Sequence, residues 1–269
     1  MVTEAFASGI GLALVVCLPL GWKWRMPVTV VLPASLVIGA VAGAIGTLIS
    51  WQSTNLGLVP LIFIELVLIG VFGCMSIGLR FFRDPERVPV ETENVILAPA
   101  DGTVTYVHRV EKGSSLVSTK KGQHFELREI MATDMLENAA FLVGIDMSLL
   151  NVHVNRAPMA GKIELVKHIG GRFISLRRPE SEITNERVTT IINNGYFRIG
   201  VVQIASRLVR RVVTYLAEGD TVSIGQRIGS ITLGSQVDVA IPDVEGLSIN
   251  VEPGDTVSAG VSIVARYGS

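Results

Sequence analysis

The stretch GDTVSIG at residues 219–225 decides the fold, because it returns almost unchanged as GDTVSAG at residues 254–260. A second related pair lies upstream, APADGTV at residues 98–104 and APMAGKI at residues 157–163. Glycine at matching places permits tight turns that a residue with a Cβ atom resists. The repeats predict a β-sandwich or β-barrel built from two related halves.

A pattern of short strand-like runs extends from residue 90 to the C-terminus. Runs rich in Val, Ile and Thr are separated by Gly, Pro and Asp, which indicates antiparallel strands. We expect strands at residues 95–97, 102–108, 161–168, 188–192, 200–204, 227–233 and 237–241. Residues 206–216 fit a helix or a long strand, and a helix would place Arg207, Arg210 and Arg211 on one side. The repeats resemble those of biotinyl and lipoyl carrier domains, which implies a mainly β fold with lipoyl-like hammerhead repeats.

The first 80 residues differ in composition and predict an α-helical transmembrane region. Only 17% of the chain is charged, whereas soluble domains have about 25%. Apolar stretches cover residues 5–20, 27–50 and 56–79, and crossing a bilayer takes about 20 residues. The second and third stretches qualify, and the first fits a tilted span or an interfacial segment. We therefore divide the chain into membrane-anchoring helices at 1–80, with two or three spans, and a mainly β domain at 81–269.

Basic residues beside these stretches predict the orientation. Lys23 and Arg25 follow the first stretch, and Arg80, Arg83 and Arg87 follow the third. The positive-inside rule then places residues 81–269 in the cytoplasm, at the cell membrane. Within the third stretch, the carboxyl group at position 65 either has a function or simply faces the other helices or is protonated.

The net charge and the absence of several well-known motifs argue against several classes of function. The net charge of −1 leaves no basic footprint for nucleic acid. The four histidines lack the spacing of zinc ligands, so we expect no protein-bound metal. No phosphate loop, dinucleotide fingerprint or nucleophile elbow is present.

Three residues remain as candidates for chemistry: Asp101, His153 and Ser235. Each has an alternative structural interpretation. Asp101 before Gly102 is typical of an Asx turn, His153 fits a buried core histidine, and Ser235 after glycine fits a bend. Together they are also an acid, a base and a nucleophile, but a triad is identified by geometry and not by spacing.

Six short motifs follow one another in a fixed order: FFRDPER at 81–87, APADG at 98–102, VHVNRAP at 152–158, TNER at 184–187, VQIA at 202–205 and LGS at 233–235. In type and order they resemble the motifs of the short prokaryotic phosphatidylserine decarboxylases. The match extends from about residue 80 to about residue 242.

The resemblance implies a proenzyme that cuts itself between Gly234 and Ser235 into chains 1–234 and 235–269. Ser235 would attack the Gly234 carbonyl, with His153 as the base and Asp101 orienting it. The product at residue 235 would be a covalent pyruvoyl group, the cofactor. It would form a Schiff base with the lipid amine and accept electrons as carbon dioxide leaves, converting phosphatidylserine to phosphatidylethanolamine.

The implied partners are the bilayer and a phosphatidylserine-type lipid, and a homodimer of the cleaved protein is left open. Candidate substrate-binding residues are Arg156, Arg172 and Gln203, with Arg177, Arg178 and the arginines of 207–211 as other phosphate ligands. The motif residues 185–187 either line the pocket or are structural. Two positions depart from the family pattern: Asn151 replaces an aspartate of some relatives, and Gln236 replaces Thr or Arg.

Three alternative functions stay open at this point. A serine lipid with ether-linked isoprenoid chains, an archaetidylserine, has the same headgroup chemistry. A non-enzymatic lipoyl-like or biotinyl-like carrier or adaptor would share the Gly-Asp-Thr-Val turns, but neither repeat leads into an acceptor lysine. A family member that has lost catalysis is disfavoured, because Ser235, His153 and Asp101 are all present.

Overall fold

The chain forms two compact units, residues 1–82 and residues 83–269. The computed structural model describes residues 2–24, 26–52, 57–109, 116–118, 124–126, 131, 133, 139–171, 184–205, 212–232 and 235–268. The boundary between the units follows the last helix, which ends at Phe81.

Three helices make up the first unit: α1 (Val2–Lys23), α2 (Val28–Gln52) and α3 (Leu58–Phe81). All three are long and apolar enough to cross a membrane. The shortest apolar segment, Phe6–Lys23, has 18 residues, which as a helix extend about 27 Å. The first apolar stretch is therefore a helix of near-spanning length, and the unit fits membrane association.

Glycines allow α1 and α2 to pack closely. A Cβ atom on Gly9 would lie 2.5 Å from the backbone nitrogen of Gly43, and one on Gly39 would lie 2.7 Å from the Cα of Ile10. Membrane helices gain their packing energy from such close contacts, because lipid provides no hydrophobic drive for association. A small core completes the bundle, formed by Ala13, Ile38, Ala42 and Ile69.

Glu65 of α3 is fully buried among the helices. The hydroxyl group of Ser8 on α1 lies 2.7 Å from one carboxyl oxygen and 3.0 Å from the other. Gly46 of α2 leaves room for this side chain, since a Cβ there would lie 2.9 Å from its Oε1. The carboxyl group therefore faces the neighbouring helices, one of the interpretations that the sequence left open.

The second unit is built from short antiparallel strands. They are β1 (Val95–Leu97), β2 (Gly102–Arg109), β3 (Leu116–Ser118), β4 (His124–Glu126), β5 (Ala139–Met147), β6 (Val154–Arg156), β7 (Gly161–Ile169), β8 (Arg187–Asn193), β9 (Arg198–Ala205), β10 (Val212–Thr214), β11 (Thr221–Val222), β12 (Arg227–Ile231), β13 (Ser235–Pro242), β14 (Ser248–Ile249), β15 (Thr256–Val257) and β16 (Ile263–Arg266).

One large sheet dominates this unit and curls into a half-barrel, with strand order β11-β7-β8-β9-β13-β5-β2-β15. Smaller sheets have the orders β1-β16-β14, β10-β12-β6 and β3-β4. Alternate residues of the central strands enter the hydrophobic core, such as Val237, Val239 and Ile241 of β13. Their neighbours along β13 face the opposite side of the sheet.

The two sequence repeats are equivalent in hydrogen bonding. In one half, Val104 N–H donates to Asp255 O at 2.8 Å, and in the other Ile163 N–H donates to Asp220 O at 2.8 Å. The turn glycines also match, since Gly225 and Gly260 have φ angles of 76° and 69°. Strand order is symmetric about the β9–β13 pair. The expectation of two related halves is therefore confirmed, whereas the likeness to a lipoyl hammerhead stays a prediction.

The mainly β architecture after apolar helices is confirmed, and each expected run contains a strand. Strand β5 was not expected. It pairs with β13 on one side and β2 on the other, and Leu142 to Ile145 are buried without a break. Such a run lacks the alternation that distinguishes a strand from a buried helix. In the ambiguous stretch 206–216, β10 is a strand, and Arg207, Arg210 and Arg211 lie outside the described residues.

We predict that Gly161→Ala lowers the free energy of unfolding by about 1–3 kcal/mol, because the added methyl group overpacks the pairing of β7 with β8. The new Cβ would lie 2.5 Å from the backbone oxygen of Asn193. Gly170→Ala is the matched control, since no atom of the described residues lies within 4 Å of its Cβ position. Thermal unfolding of the full chain in detergent, followed by circular dichroism, measures both. Equal midpoints for the two variants would contradict the prediction.

Candidate active site

Ser235 opens β13, and its backbone is paired on both sides, with Met147 of β5 and Ala205 of β9. Its side chain and all of Gly234 lie outside the described structure. Four residues earlier, the N–H of Ile231 donates to the backbone oxygen of His153 at 3.1 Å. Four residues span at most about 14 Å, so Ser235 and His153 lie at the same end of the sheet.

His153 is buried, and its Nδ1 lies 2.9 Å from the backbone oxygen of Asn151. A carbonyl only accepts, so Nδ1 carries the proton and Nε2 presents the lone pair. Burial lowers the pKa of His153 to about 4, against an opposing contribution from the Asn151 hydrogen bond. Arg83 lowers the pKa further, and Asp101 raises it. The imidazole is therefore neutral at pH 7 and competent to accept a proton.

A tight turn connects β5 to His153. The Oδ1 of Asn151 accepts hydrogen bonds from the N–H and the hydroxyl of Ser148, at 2.7 and 2.6 Å. Arg83 donates through Nη2 to the backbone oxygen of Leu150 at 2.8 Å. These contacts hold the carbonyl that orients the imidazole. Asn151 thus shapes the turn with its side chain and orients His153 with its backbone.

Asp101 lies at the centre of a buried ionic cluster. Arg87 donates to both carboxylate oxygens, at 2.5 and 2.9 Å, and the N–H of Ala259 donates at 2.9 Å. The N–H of Val152 donates to Oδ2 at 3.2 Å. Burial disfavours the charged carboxylate, but the hydrogen bonds from Arg87 and the two amides outweigh it and hold the pKa of Asp101 below its usual value.

The contacts of Asp101 define its relation to His153. Its hydrogen bond to the Val152 N–H reaches the backbone next to the histidine, whereas the imidazole Nδ1 faces Asn151. The role of Asp101 as the acid that orients His153 stays a prediction. In that role, Asp101 would act on the imidazole through the backbone of residues 151–153.

Arg156 connects the segment after the helices to the β unit. It is buried, and its Nη1 donates to Gly225 O at 3.1 Å, while Nη2 contacts Asp84 Oδ1 at 3.2 Å and Pro85 O at 2.9 Å. Within the described part of the chain, its Nε has no hydrogen-bond partner. The candidate phosphate ligands Arg172, Arg177 and Arg178 lie outside the described residues.

Gln203 pairs with Val237 in the sheet, two residues along β13 from Ser235. It is buried, and its Nε2 donates to Asn155 Oδ1 at 2.7 Å. Among the residues that the structure describes, its Oε1 finds no partner. Because Gln203 lies directly across from Val237, its side chain is on the face of the sheet that carries Val237.

The TNER motif packs against the other neighbour of Ser235. Asn185 donates through Nδ2 to Ala205 O at 2.9 Å, and the N–H of Ala205 donates to Glu186 O at 2.9 Å. Glu186 also contacts His168 at 2.9 Å. The motif thereby closes the strand end at which residue 235 is paired.

Arg83 and Arg87 were expected at the membrane flank and within the FFRDPER motif, but their contacts with Leu150 and Asp101 were not. Their presence in the FFRDPER motif is the signal that could have identified them. No sequence signal could have identified Ala259, because it contacts Asp101 through its backbone N–H, which every residue except proline has.

Comparisons with known proteins identify the family. The family model for phosphatidylserine decarboxylase matches residues 76–265. A Methanocaldococcus jannaschii protein, provisionally named an archaetidylserine decarboxylase proenzyme, is 42% identical over 73% of this chain and 93% of its own length.

Two bacterial relatives are named phosphatidylserine decarboxylase proenzymes. The Azorhizobium caulinodans protein is 35% identical over 73% of this chain and 78% of its own length. The Erythrobacter litoralis protein is 32% identical over 92% of this chain and 90% of its own length. From the family match and the extent of these alignments, the chain belongs to the phosphatidylserine decarboxylase family.

Proposed function

We propose that this protein decarboxylates a phospholipid with a serine headgroup, after cutting its own chain between Gly234 and Ser235. The product is the corresponding ethanolamine lipid, as for phosphatidylserine and phosphatidylethanolamine. The observation that carries the proposal is a buried, neutral His153 at the end of the sheet where Ser235 begins β13. The relatives' designation as proenzymes supports it.

The self-cleavage uses groups of this chain alone. Ser235 Oγ attacks the Gly234 carbonyl carbon, and Nε2 of His153 takes the hydroxyl proton and returns it to the departing amine nitrogen. A base then removes the α proton of residue 235, its Cβ–Oγ bond breaks, and Gly234 leaves as a carboxylate. The dehydroalanine that remains takes up a proton at Cβ and becomes an imine. Water displaces ammonia from this imine, which leaves a ketone at residue 235. The products are chains 1–234 and 235–269.

The surroundings of residue 235 fit a pyruvoyl group. Its backbone is held by β5 and β9, and Gln203 offers a buried acceptor with no partner among the described residues. A pyruvoyl group supplies an electron sink for the electrons released as carbon dioxide leaves, which no amino-acid side chain does.

The residues around it then have distinct roles. Gln203 Oε1 accepts a hydrogen bond from the amine of the serine headgroup, and His153 moves the proton at Cα. Arg172 binds the phosphate group of the lipid. Arg156 keeps the segment at Asp84 and Pro85 in place, and its Nε, which has no partner among the described residues, is a candidate donor to the lipid.

The headgroup chemistry is common to diacyl and ether-linked serine lipids. Relatives carry both phosphatidylserine and archaetidylserine names, and we propose phosphatidylserine or this close relative as substrate. Release of carbon dioxide from each lipid, presented in mixed micelles, separates the two.

We also propose that the β unit lies on the cytoplasmic side of the cell membrane, from the basic residues that flank the apolar helices. The paired turns are proposed to be related to lipoyl-type hammerheads. The residues that lead out of these turns, at 223–226 and 258–261, contain no lysine, so the turns support an architectural relation and not a carrier function.

Replacing the proposed nucleophile tests the mechanism directly. We expect wild-type protein to consist of chains 1–234 and 235–269, the shorter one with a blocked N-terminus, because the ketone replaces its amine. Ser235→Ala stays whole and inactive, since alanine has no hydroxyl group. Intact-mass analysis and release of carbon dioxide from phosphatidylserine measure both properties. Active wild-type protein with an uncut chain would contradict the proposal.

The pH dependence of self-cleavage tests the role of His153. Only the neutral imidazole accepts a proton, and the pKa of His153 is about 4. We expect a constant rate near neutral pH that falls as the pH drops through about 4. The rate at which chain 235–269 appears from newly made precursor gives the profile, with circular dichroism at each pH as the folding control. A midpoint near 6.5 would mean that the base is not a buried histidine.

Removing the partner of Asp101 tests the ionic cluster. Arg87→Met leaves a buried carboxylate unpaired, and we expect the free energy of unfolding to fall by about 3–5 kcal/mol and self-cleavage to slow about ten- to a hundredfold. Arg266→Met is the matched control, because Arg266 forms a similar pair with Glu91. The control pair is about 43% and 42% exposed, against 13% and 9% for Arg87 and Asp101.

We expect the control variant to stay within about 1 kcal/mol of wild type, since exposed ion pairs contribute little. Urea unfolding and the appearance of chain 235–269 are measured for both variants. Equal behaviour of Arg87→Met and Arg266→Met would show that the cluster does not support the site.

A further inference from the structure

A buried polar cluster lies on the face of the sheet opposite to the candidate site, directly behind Ser235. Gln236 is fully buried, and its Nε2 donates to the Tyr106 hydroxyl at 2.9 Å and to Asp238 Oδ1 at 2.7 Å. Because alternate residues of a strand point to opposite faces, Gln236 and Asp238 face away from the side of the sheet on which Val237 and Val239 enter the core.

Tyr106 reaches Gln236 from two strands away. It belongs to β2, which is separated from β13 by β5. Its ring crosses β5 at Gly144, where a Cβ atom would lie 2.3 Å from the ring carbon Cζ. The ring also stacks on His108, with centroids 4.7 Å apart and planes at 15°. The hydroxyl group is therefore presented to Gln236 by a constrained ring.

Cutting the chain before residue 235 would turn the first residue of β13 into a chain end. Chain ends fray unless they are tied down, and fraying of one residue would move the reacting group. The backbone of residue 235 is paired on both sides. The first side chain after the cut that is anchored by buried hydrogen bonds is Gln236.

We propose that Tyr106 and Asp238 clamp Gln236, and that this clamp holds residue 235 in position after self-cleavage. Gln236 is then a positioning residue for decarboxylation, and the proposal rests on the proposed function above. It gives a role to a glutamine at a position where the family pattern has Thr or Arg.

A purely stabilising role explains the cluster less well. The Oε1 of Gln236 is buried and has no partner among the described residues. A buried acceptor without a partner weakens a fold, and an apolar side chain of the same length would fill the space without that cost. What the two hydrogen bonds add is a fixed position for the preceding residue, 235.

The test compares Tyr106→Phe and Gln236→Met with wild type in the full-length, processed protein. Tyr196→Phe is the matched control, because Tyr196 is 95% exposed. Intact mass gives the extent of cleavage, phenylhydrazine labelling gives the ketone content of chain 235–269, and decarboxylation of phosphatidylserine in micelles gives kcat and KM. We expect both variants to be cut and fully labelled, with kcat about tenfold lower and KM within about twofold of wild type.

The double variant separates positioning from general destabilisation. If the two side chains act through their mutual hydrogen bond, the double variant has about the kcat of Gln236→Met alone. Wild-type kcat in both single variants, losses that multiply in the double variant, or a lower unfolding temperature with unchanged kcat would each overturn the clamp. Tyr106→Phe keeps the ring and its stacking, so its kcat still tests the clamp if Gln236→Met does not fold.

These outcomes are distinct from a failure of the proposed function. An uncut or unlabelled wild-type protein would remove the ketone itself and, with it, the reason for a clamp. A cut, labelled and active wild type with indifferent variants would remove the clamp alone.

Discussion

The buried pair of Arg87 and Asp101 is the interaction on which the site depends. A carboxylate is expensive to bury unless its oxygens are satisfied, and here Arg87, Ala259 and Val152 satisfy them. The same contacts join parts of the chain that are far apart in sequence. The segment after α3, a turn near the C-terminus and the backbone next to His153 all meet at one carboxylate.

Charge and burial act together on the proposed base. His153 is kept neutral mainly because it is buried, and the positive charge of Arg83 adds to this effect. Arg83 also holds the Leu150 carbonyl in the turn that orients the imidazole. The segment 83–87 thereby contributes both to the geometry of the histidine and to its charge state.

The internal repeat explains the architecture but not the chemistry. Both halves keep the same backbone hydrogen bonds at their turns, yet Asp101 in one half corresponds to Ala160 in the other. Only one copy of the turn therefore carries the carboxylate. This carboxylate accepts a hydrogen bond from Val152, next to His153, and the segment that leads into β6 there belongs to the other half. The candidate site therefore needs contacts between the two halves, and the repeat by itself indicates only the fold.

The sequence by itself determined the two regions and the related halves, because hydrophobic patterning and turn glycines are local signals. The motif LGS and its partners likewise indicated Ser235 and His153. Only the tertiary structure decided that Arg87 pairs with Asp101, that Asn151 orients the histidine through its carbonyl, and that Tyr106 reaches Gln236. Each of these contacts joins residues that come together only when the strands are paired, or uses a backbone group that every residue has. Burial, which lowers the pKa of His153, is likewise a property of the packed chain, so no local pattern encodes it.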